Sequence, residues 1–321
     1  MGGEPLVDVH VHLYEDSDAG RQAKDRYVIW EYGDDPGVEF SVSPGDVSTL
    51  TSVYEKAGFE RAIVMHLFDT ALAREQAITA GRLTTAEAAV TAADAAVVAA
   101  EAAAVAAEAM RASNRWIARA VRDNPVAEVL ISVDPAALPP QAITAHLAEL
   151  AAAGVLGVKL HPVSHSFAPN DPRLHPMYEL CADAGLVVLS HSGPGPAGSA
   201  GSARPSDFAP VLRKWPDLRL VLAHLGGASW RETAAVAADF PQLVFDLSEI
   251  IEWTGAPHAP TTSELSTLIR QIGADRVMLG SDFPWYDPLR TADRVAGLPR
   301  LSNAERAAIL GGTAMRVFGL A

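Results

Sequence analysis

The sequence of 321 residues contains one cysteine, Cys181, so no disulfide can form within the chain. Lys and Arg together number 25 against 39 Asp and Glu, which gives a net charge of −14. A surface this acidic repels nucleic-acid phosphates and anionic lipids, so neither nucleic acid nor a membrane is expected as a partner. No uninterrupted apolar run is long enough to span a bilayer. These absences leave a soluble globular protein as the expectation.

The N-terminus also lacks the basic segment and the apolar core of a signal peptide, and a strand pattern begins at Leu6. Hydrophobic residues make up 49% of the chain and charged residues 20%, which is enough to build a large core. We therefore predict a cytoplasmic protein that forms a single domain over residues 1–321.

Short β-branched and apolar runs alternate with helical stretches along the chain, as in parallel sheets that helices cover. Eight such repeats predict an α/β protein with a closed (β/α)8 barrel. An open, doubly wound sheet would carry a glycine-rich phosphate-binding turn after an early strand, and the sequence has none. The predicted strands span 6–14, 61–68, 128–135, 157–162, 185–193, 218–227, 243–248 and 276–284.

An alanine-rich segment at 69–122, after the second strand, interrupts this repeat. Its composition predicts a helix that ends at Gly81, followed by a long helix that starts at the capping pattern Thr84-x-x-Glu87. We predict that this insertion protrudes as an arm or lid that promotes a homodimer. The alternative is a kinked helix that lies along the barrel.

Polar residues cluster at or near the carboxyl ends of the predicted strands, where barrel enzymes place their sites. His10 and His12 alternate along the first strand and therefore face the same side. Single histidines lie near the ends of the fifth and sixth strands, and an aspartate lies near the end of the eighth. Imidazoles and a carboxylate converging in this way suit Zn²⁺, and also Mn²⁺, Fe²⁺ or Co²⁺. The set comprises His10, His12, Lys159, His161, His191, His224 and Asp282.

The segments DVHVH, VVLSHSG, VLAHLGG and MLGSDFPW resemble signatures of the amidohydrolase superfamily. More narrowly, they resemble the branch that includes aminocarboxymuconate-semialdehyde decarboxylase. The resemblance implies that one divalent ion is bound by four residues, and that His224 stands beside the metal-bound water without being a primary ligand. The implied ligands are His10, His12, His191 and Asp282.

Lys159 leaves two alternatives open. Binuclear members of the superfamily carry a carboxylated lysine at this strand, which would give a second metal held by His191 and His224. With one metal, Lys159 would instead form an ion pair in the barrel mouth or bind a substrate carboxylate together with His161.

Further substrate contacts are predicted in the loops. Arg204 lies in the glycine-rich segment GPGPAGSAGSARPSD, from which it either clamps an anion in a bidentate manner or extends into solvent. Trp285 follows Asp282 closely and is predicted to form a wall of the pocket. We expect His146, in contrast, to lie at the surface.

Two reactions fit these residues. The first is hydrolysis of an amide, cyclic amide or lactone, with Asp282 and His224 as catalytic residues. The second is non-oxidative decarboxylation of an unsaturated or aromatic carboxylic acid. Either substrate is a small molecule, with or without a carboxylate. A binding protein that has lost catalysis is a third possibility, but the presence of both Asp282 and His224 argues against it.

Overall fold

A computed structural model describes residues 5–33, 37–84, 92–195 and 201–320 of the chain. Eight parallel strands follow one another around a barrel in sequence order, which confirms the predicted fold. A hydrogen bond from Val9 N to Leu279 O (3.0 Å) and a bridge between Val11 and Phe283 join the last strand to the first. The strands are β1 Val7–His12, β2 Arg61–Met65, β3 Ala127–Ser132, β4 Gly157–Leu160, β5 Val187–Ser190, β6 Arg219–Leu222, β7 Val244–Asp246 and β8 Val277–Met278.

Helices connect and cover the strands, as βα crossovers require. Helix α2 continues as a π-helical turn over Thr51–Glu55, and a two-stranded ribbon (Gly193–Pro194 with Ser202–Ala203) follows β5. The helices are α1 Ser17–Tyr32, α2 Val47–Leu50, α3 Thr70–Thr84, α4 Ala92–Ala120, α5 Pro140–Ala151, α6 His175–Ala184, α7 Ala209–Lys214, α8 Trp230–Asp239, α9 Thr262–Ile272, α10 Pro288–Ala296, α11 Asn303–Ala307 and α12 Thr313–Phe318. In the described part of the chain, no helix is long and apolar enough to cross a membrane.

Apolar side chains from strands all around the barrel fill its interior at the end opposite the carboxyl ends of the strands. Val317 and Phe318 of α12 belong to the same cluster and close this end. A register shift in β1 between Asp8 and Val11 lets Val9 join the cluster while His10 lines a cavity above it. The apolar floor thus leaves the carboxyl ends of the strands for polar groups.

The alanine-rich segment differs from its prediction in two respects. Helix α3 continues past Gly81 to Thr84, so the prediction that Gly81 ends it was wrong; the helix start predicted at Thr84-x-x-Glu87 falls largely outside the described residues. The second half of α4 packs on the barrel, with Met110, Asn114 and Ile117 buried. This half is the helix that connects β2 to β3. It lies along the barrel, as the alternative prediction stated.

Candidate active site

One cavity at the carboxyl ends of the strands gathers most of the predicted site residues. The two histidines of β1, the lysine of β4 and the residues that follow β5, β6 and β8 all reach it from their strand ends. Because these ends meet at one face of a parallel barrel, side chains distant in sequence converge there. The lining comprises His10, His12, Tyr27, Glu31, Tyr32, Leu67, Lys159, His161, His191, His224, Glu249, Asp282 and Trp285.

Asp282 lies at the centre of the predicted ligand set. Its Oδ1 atom is 3.3 Å from His10 Nε2 and 3.2 Å from His12 Nε2. The three ligand atoms lie within 4.8 Å of one another, as ligands of a single ion would. The backbone of Asp282 is left-handed (φ 58°), a conformation that non-glycine residues adopt mainly where the surrounding structure imposes it.

His191 lies beside this group, although no three-residue cluster of potential ligand atoms among the described residues includes it. Its ring stacks on His161 at 4.1 Å and meets the edge of His224 at 4.9 Å. Its Nε2 atom is buried and has no hydrogen-bond partner, as is also true of His12 Nδ1. A buried imidazole nitrogen without a partner is costly, and a metal ion would satisfy Nε2 of His191. The donor set therefore fits a divalent ion.

Two residues that were not predicted, Asp246 and Ser248, hydrogen-bond the imidazole rings at their Nδ1 atoms. His10 Nδ1 is 3.1 Å from Asp246 Oδ2 and 2.9 Å from Ser248 Oγ. His224 Nδ1 is 2.9 Å from the same hydroxyl and 3.1 Å from the Ser248 carbonyl oxygen. Since Ser248 Oγ donates to Asp246, it accepts from both rings, so each ring carries its proton on Nδ1. The Nε2 lone pair of His10 is then directed at the cavity, the arrangement common for metal-binding histidines.

Asp8 was also missed, and it joins the first strand to the residue before Asp282. Its carboxylate accepts from His10 N (3.0 Å), Ser281 N (2.9 Å) and Tyr54 Oη (2.8 Å). Burial raises the pKa of Asp8 to about 6, although these hydrogen bonds act to lower it. Asp8 therefore fixes the position of the loop that presents Asp282.

Electrostatics favour neutral imidazoles in the cavity. Burial lowers the pKa of His10, His12 and His224, and lowers that of His191 to about 3. Neutral imidazole is the form that binds a metal. Burial acts to raise the pKa of Asp246, but His10, His224 and the Ser248 hydroxyl together hold this pKa below its usual value.

Lys159 lies at the inner end of the cavity and is buried. Its Nζ atom is 2.7 Å from His10 Nε2. Burial lowers the pKa of Lys159 to about 8, while the carboxylates of Asp282 and Asp246 act to raise it.

The outer part of the cavity is acidic, which the sequence analysis did not foresee. Glu249 accepts a hydrogen bond from Tyr32 Oη (2.7 Å), and its other oxygen is 3.4 Å from His224 Nδ1. Burial and the charge of Asp282 raise the pKa of Glu249 to about 7. Burial and the charge of Glu249 likewise raise the pKa of Glu31. Glu31 and Tyr32 belong to α1, a helix that the sequence analysis did not predict.

The remaining predicted residues lie in several places. Trp285 lines the cavity and meets the His12 ring edge-on at 5.2 Å, and His161 also lines it. Arg204 is exposed, its backbone N–H binds Asp207, and it is not among the described lining residues. His146 is buried in α5, where Asn114 contacts it, so its predicted surface position was wrong.

A family model described as Amidohydrolase matches residues 7–320. Among solved structures, 5-carboxyvanillate decarboxylase from Sphingomonas paucimobilis is similar at 16% identity and a TM-score of 0.64, over 99% of this chain and 100% of that one. A putative 2-pyrone-4,6-dicarboxylic acid hydrolase from Pseudomonas putida is similar at 17% identity and a TM-score of 0.61, over 99% of both chains.

A dihydroxybenzoic acid decarboxylase from Polaromonas, solved with bound manganese, is similar at 16% identity and a TM-score of 0.64, over 98% of this chain and 97% of that one. At these identities the structures share the fold with this chain. No curated protein matches it.

Proposed function

The chain belongs to the amidohydrolase family, and from this premise we propose that it is a metal-dependent hydrolase of a small amide, cyclic amide or lactone. The observation that carries the proposal is the approach of His10 Nε2 and His12 Nε2 to one oxygen of Asp282, beside the unpartnered Nε2 of His191. We propose these four residues as the ligands of one ion. Zn²⁺ is the leading candidate, with Mn²⁺, Fe²⁺ and Co²⁺ as alternatives.

When bound, a divalent ion lowers the pKa of a coordinated water toward neutrality and polarises the scissile carbonyl. Asp282 directs Oδ1 at the two imidazoles, which leaves Oδ2 to accept the proton of the attacking water. Oδ2 then returns this proton to the leaving group. His224, with its Nδ1 proton held by Ser248, presents the Nε2 lone pair to the cavity and accepts a hydrogen bond from the attacking water.

The charges of the lining residues favour a substrate whose scissile group is uncharged, as an amide or a lactone is. Lys159 is the single Lys or Arg among the described lining residues, whereas Glu31, Glu249 and Asp282 each contribute a carboxyl group. A substrate with several carboxylates would meet repulsion at the outer part of this cavity.

Decarboxylation is the second candidate, and Lys159 is the observation that favours it. An ammonium group beside His161 at the inner end of the cavity could bind a single substrate carboxylate. In that reaction the same ligands would orient the substrate, and a nearby acid would protonate the carbon that loses CO2.

Paired activity assays test the proposal. Purified protein is incubated with panels of lactones, cyclic amides and amides, and separately with aromatic and unsaturated carboxylic acids while CO2 release is measured. We expect hydrolysis that Asp282→Ala and His224→Ala abolish, whereas Asp217→Ala, at an exposed position, leaves it unchanged. CO2 release without hydrolysis would support the second candidate. Activity like that of the wild type in Asp282→Ala would contradict both mechanisms.

The homodimer and the cytoplasmic location remain predictions. Val97 and Val105 on α4 are each 56% exposed, which supports an apolar contact through this helix. Light scattering after size-exclusion chromatography would test the dimer.

A further inference from the structure

The space directly above the imidazoles is small. Its cavity volume is about 30 Å³, which is enough for an ion and a water molecule. This space has room only for the reacting group of a substrate. The remainder of the substrate must therefore occupy a neighbouring space.

An apolar side pocket lies next to this cavity and shares Tyr32 and Glu249 with it. Its cavity volume is about 160 Å³, similar to cavities of roughly 150 Å³ that accept a benzene ring. Apart from the two shared residues, its walls consist mainly of apolar side chains and backbone. The residues that define it here are Ile250, Trp253, Pro257, Ala259 and Pro260, and the exposed His258 also lines it.

The walls of the side pocket are held in place by contacts that do not need a ligand. The Trp253 ring stacks on Tyr32 at 4.9 Å, and its Nε1 donates to Tyr286 Oη (2.8 Å). The loop opposite is closed by a hydrogen bond from Gly255 N to Pro260 O (3.0 Å). A preformed apolar pocket of this kind binds its occupant without first paying an ordering cost.

A cleft connects the two spaces. It is lined by Ser192, Gly227 and Ala228, and it shares Glu249 and Tyr32 with both. The pocket on the other side of the cavity has Tyr27 in common with it, and its lining includes Arg26, Asp69 and Glu75. An apolar group would have to desolvate these charges there, so the side pocket is the better site for it.

We propose that the side pocket binds an aryl or branched alkyl substituent of the substrate while the scissile bond lies at the metal centre. This inference rests on the proposed function, because it assumes that the reacting group is held by an ion at Asp282. It narrows the substrate class to small molecules with a polar, metal-binding end and one apolar end. Ala259 and Ile250 then determine how large the apolar end can be.

Hydroxamates test this inference because they bind divalent ions directly and carry a substituent of choice. Zinc-loaded protein is titrated by calorimetry with acetohydroxamate and with phenylalkyl hydroxamates that have one to four methylene groups. We expect at least one phenylalkyl compound to bind about tenfold more tightly than acetohydroxamate. Ala259→Trp, which fills the pocket, should remove this gain. Ala152→Trp, at an exposed position after α5, should keep it.

The outcomes separate the two proposals. If acetohydroxamate binds but no phenyl group improves the affinity, or if the gain survives Ala259→Trp, the side-pocket inference is wrong and the metal centre stands. If no hydroxamate binds the zinc-loaded wild type, the metal centre fails and the inference fails with it. Acetohydroxamate binding also reports whether Ala259→Trp retains its site. If it does not, Ala228→Phe in the connecting cleft replaces that variant.

Discussion

Lys159 Nζ lies 2.7 Å from His10 Nε2, the nitrogen that also faces Asp282. One imidazole lone pair cannot accept a hydrogen bond from Lys159 and bind an ion at the same time. The contact between Lys159 and His10 and the occupation of a metal site by His10 therefore exclude each other. Lys159 must either move away from His10 when the site is loaded or become a ligand itself after carboxylation.

Replacing Lys159 distinguishes these two roles. In a mononuclear site, Lys159→Met removes a competitor for His10, so we expect one metal per chain, bound at least as tightly as in the wild type. Titration against a chromogenic chelator measures this affinity, with Lys214→Met at an exposed position as the control. A fall from two metals per chain to one would instead show that Lys159 bridges a binuclear site.

Substitution of Asp246 tests whether its hydrogen bond to His10 supports metal binding. Its two oxygens accept hydrogen bonds from His10 Nδ1 (3.1 Å) and from the backbone N–H groups of His224 and Ser248 (3.0 Å each). Asp246→Asn exchanges one acceptor for a donor, and we expect metal affinity to fall by roughly 10–100-fold. Chelator competition measures the loss, and Asp239→Asn at the exposed end of α8 is the matched control. Unchanged affinity would show that Asp246 does not support His10 as a metal ligand.

Asn114 tests whether α4 is an integral barrel helix. Its amide donates to Ser132 O and accepts from Ser132 N, both at 2.9 Å and both buried. Asn114→Ala leaves these two backbone groups without partners, so we expect the free energy of unfolding to fall by about 2–4 kcal/mol. Urea unfolding measures the change, and Asn303→Ala at an exposed position should alter it little. A loss below about 0.5 kcal/mol would indicate that α4 detaches from β3 in solution.

Cys181 should be unreactive in the folded protein. The thiol is buried in α6, and burial raises its pKa to about 12. At pH 8 its thiolate fraction is then on the order of one in ten thousand. We expect Ellman's reagent to modify no thiol in native protein over minutes, and one thiol per chain in guanidinium chloride. Rapid native modification would contradict the packing of α6 on the barrel.

The barrel and much of its cavity could be predicted from sequence because parallel strands bring their carboxyl ends to one face. That rule placed His10, His191 and Asp282 together although they are far apart in the chain. It would have placed Asp246 there too, since this residue ends β7. Asp246 has no sequence spacing that marks it as the partner of His10, because the two residues meet only through the closure of the barrel.

The acidic outer part of the cavity could not be predicted in the same way. Glu31 and Tyr32 come from α1, a polar helix whose clearest sequence signal is Asp16 as its N-cap. Glu249 lies beyond β7 in a left-handed conformation (φ 62°) that no local pattern indicates. Gly81 was expected to end a helix by its own propensity, but the helix continues through it to Thr84.

The metal content per chain shows whether this chain holds a divalent ion at all. Protein purified without chelators or a histidine tag is analysed by plasma mass spectrometry, before and after reconstitution with Zn²⁺ or Mn²⁺, alongside a His12→Ala and Asp282→Ala double variant. We expect close to one divalent ion per chain in the wild type and a large loss in the variant. A wild-type protein that holds no metal and takes up none on reconstitution would contradict this expectation.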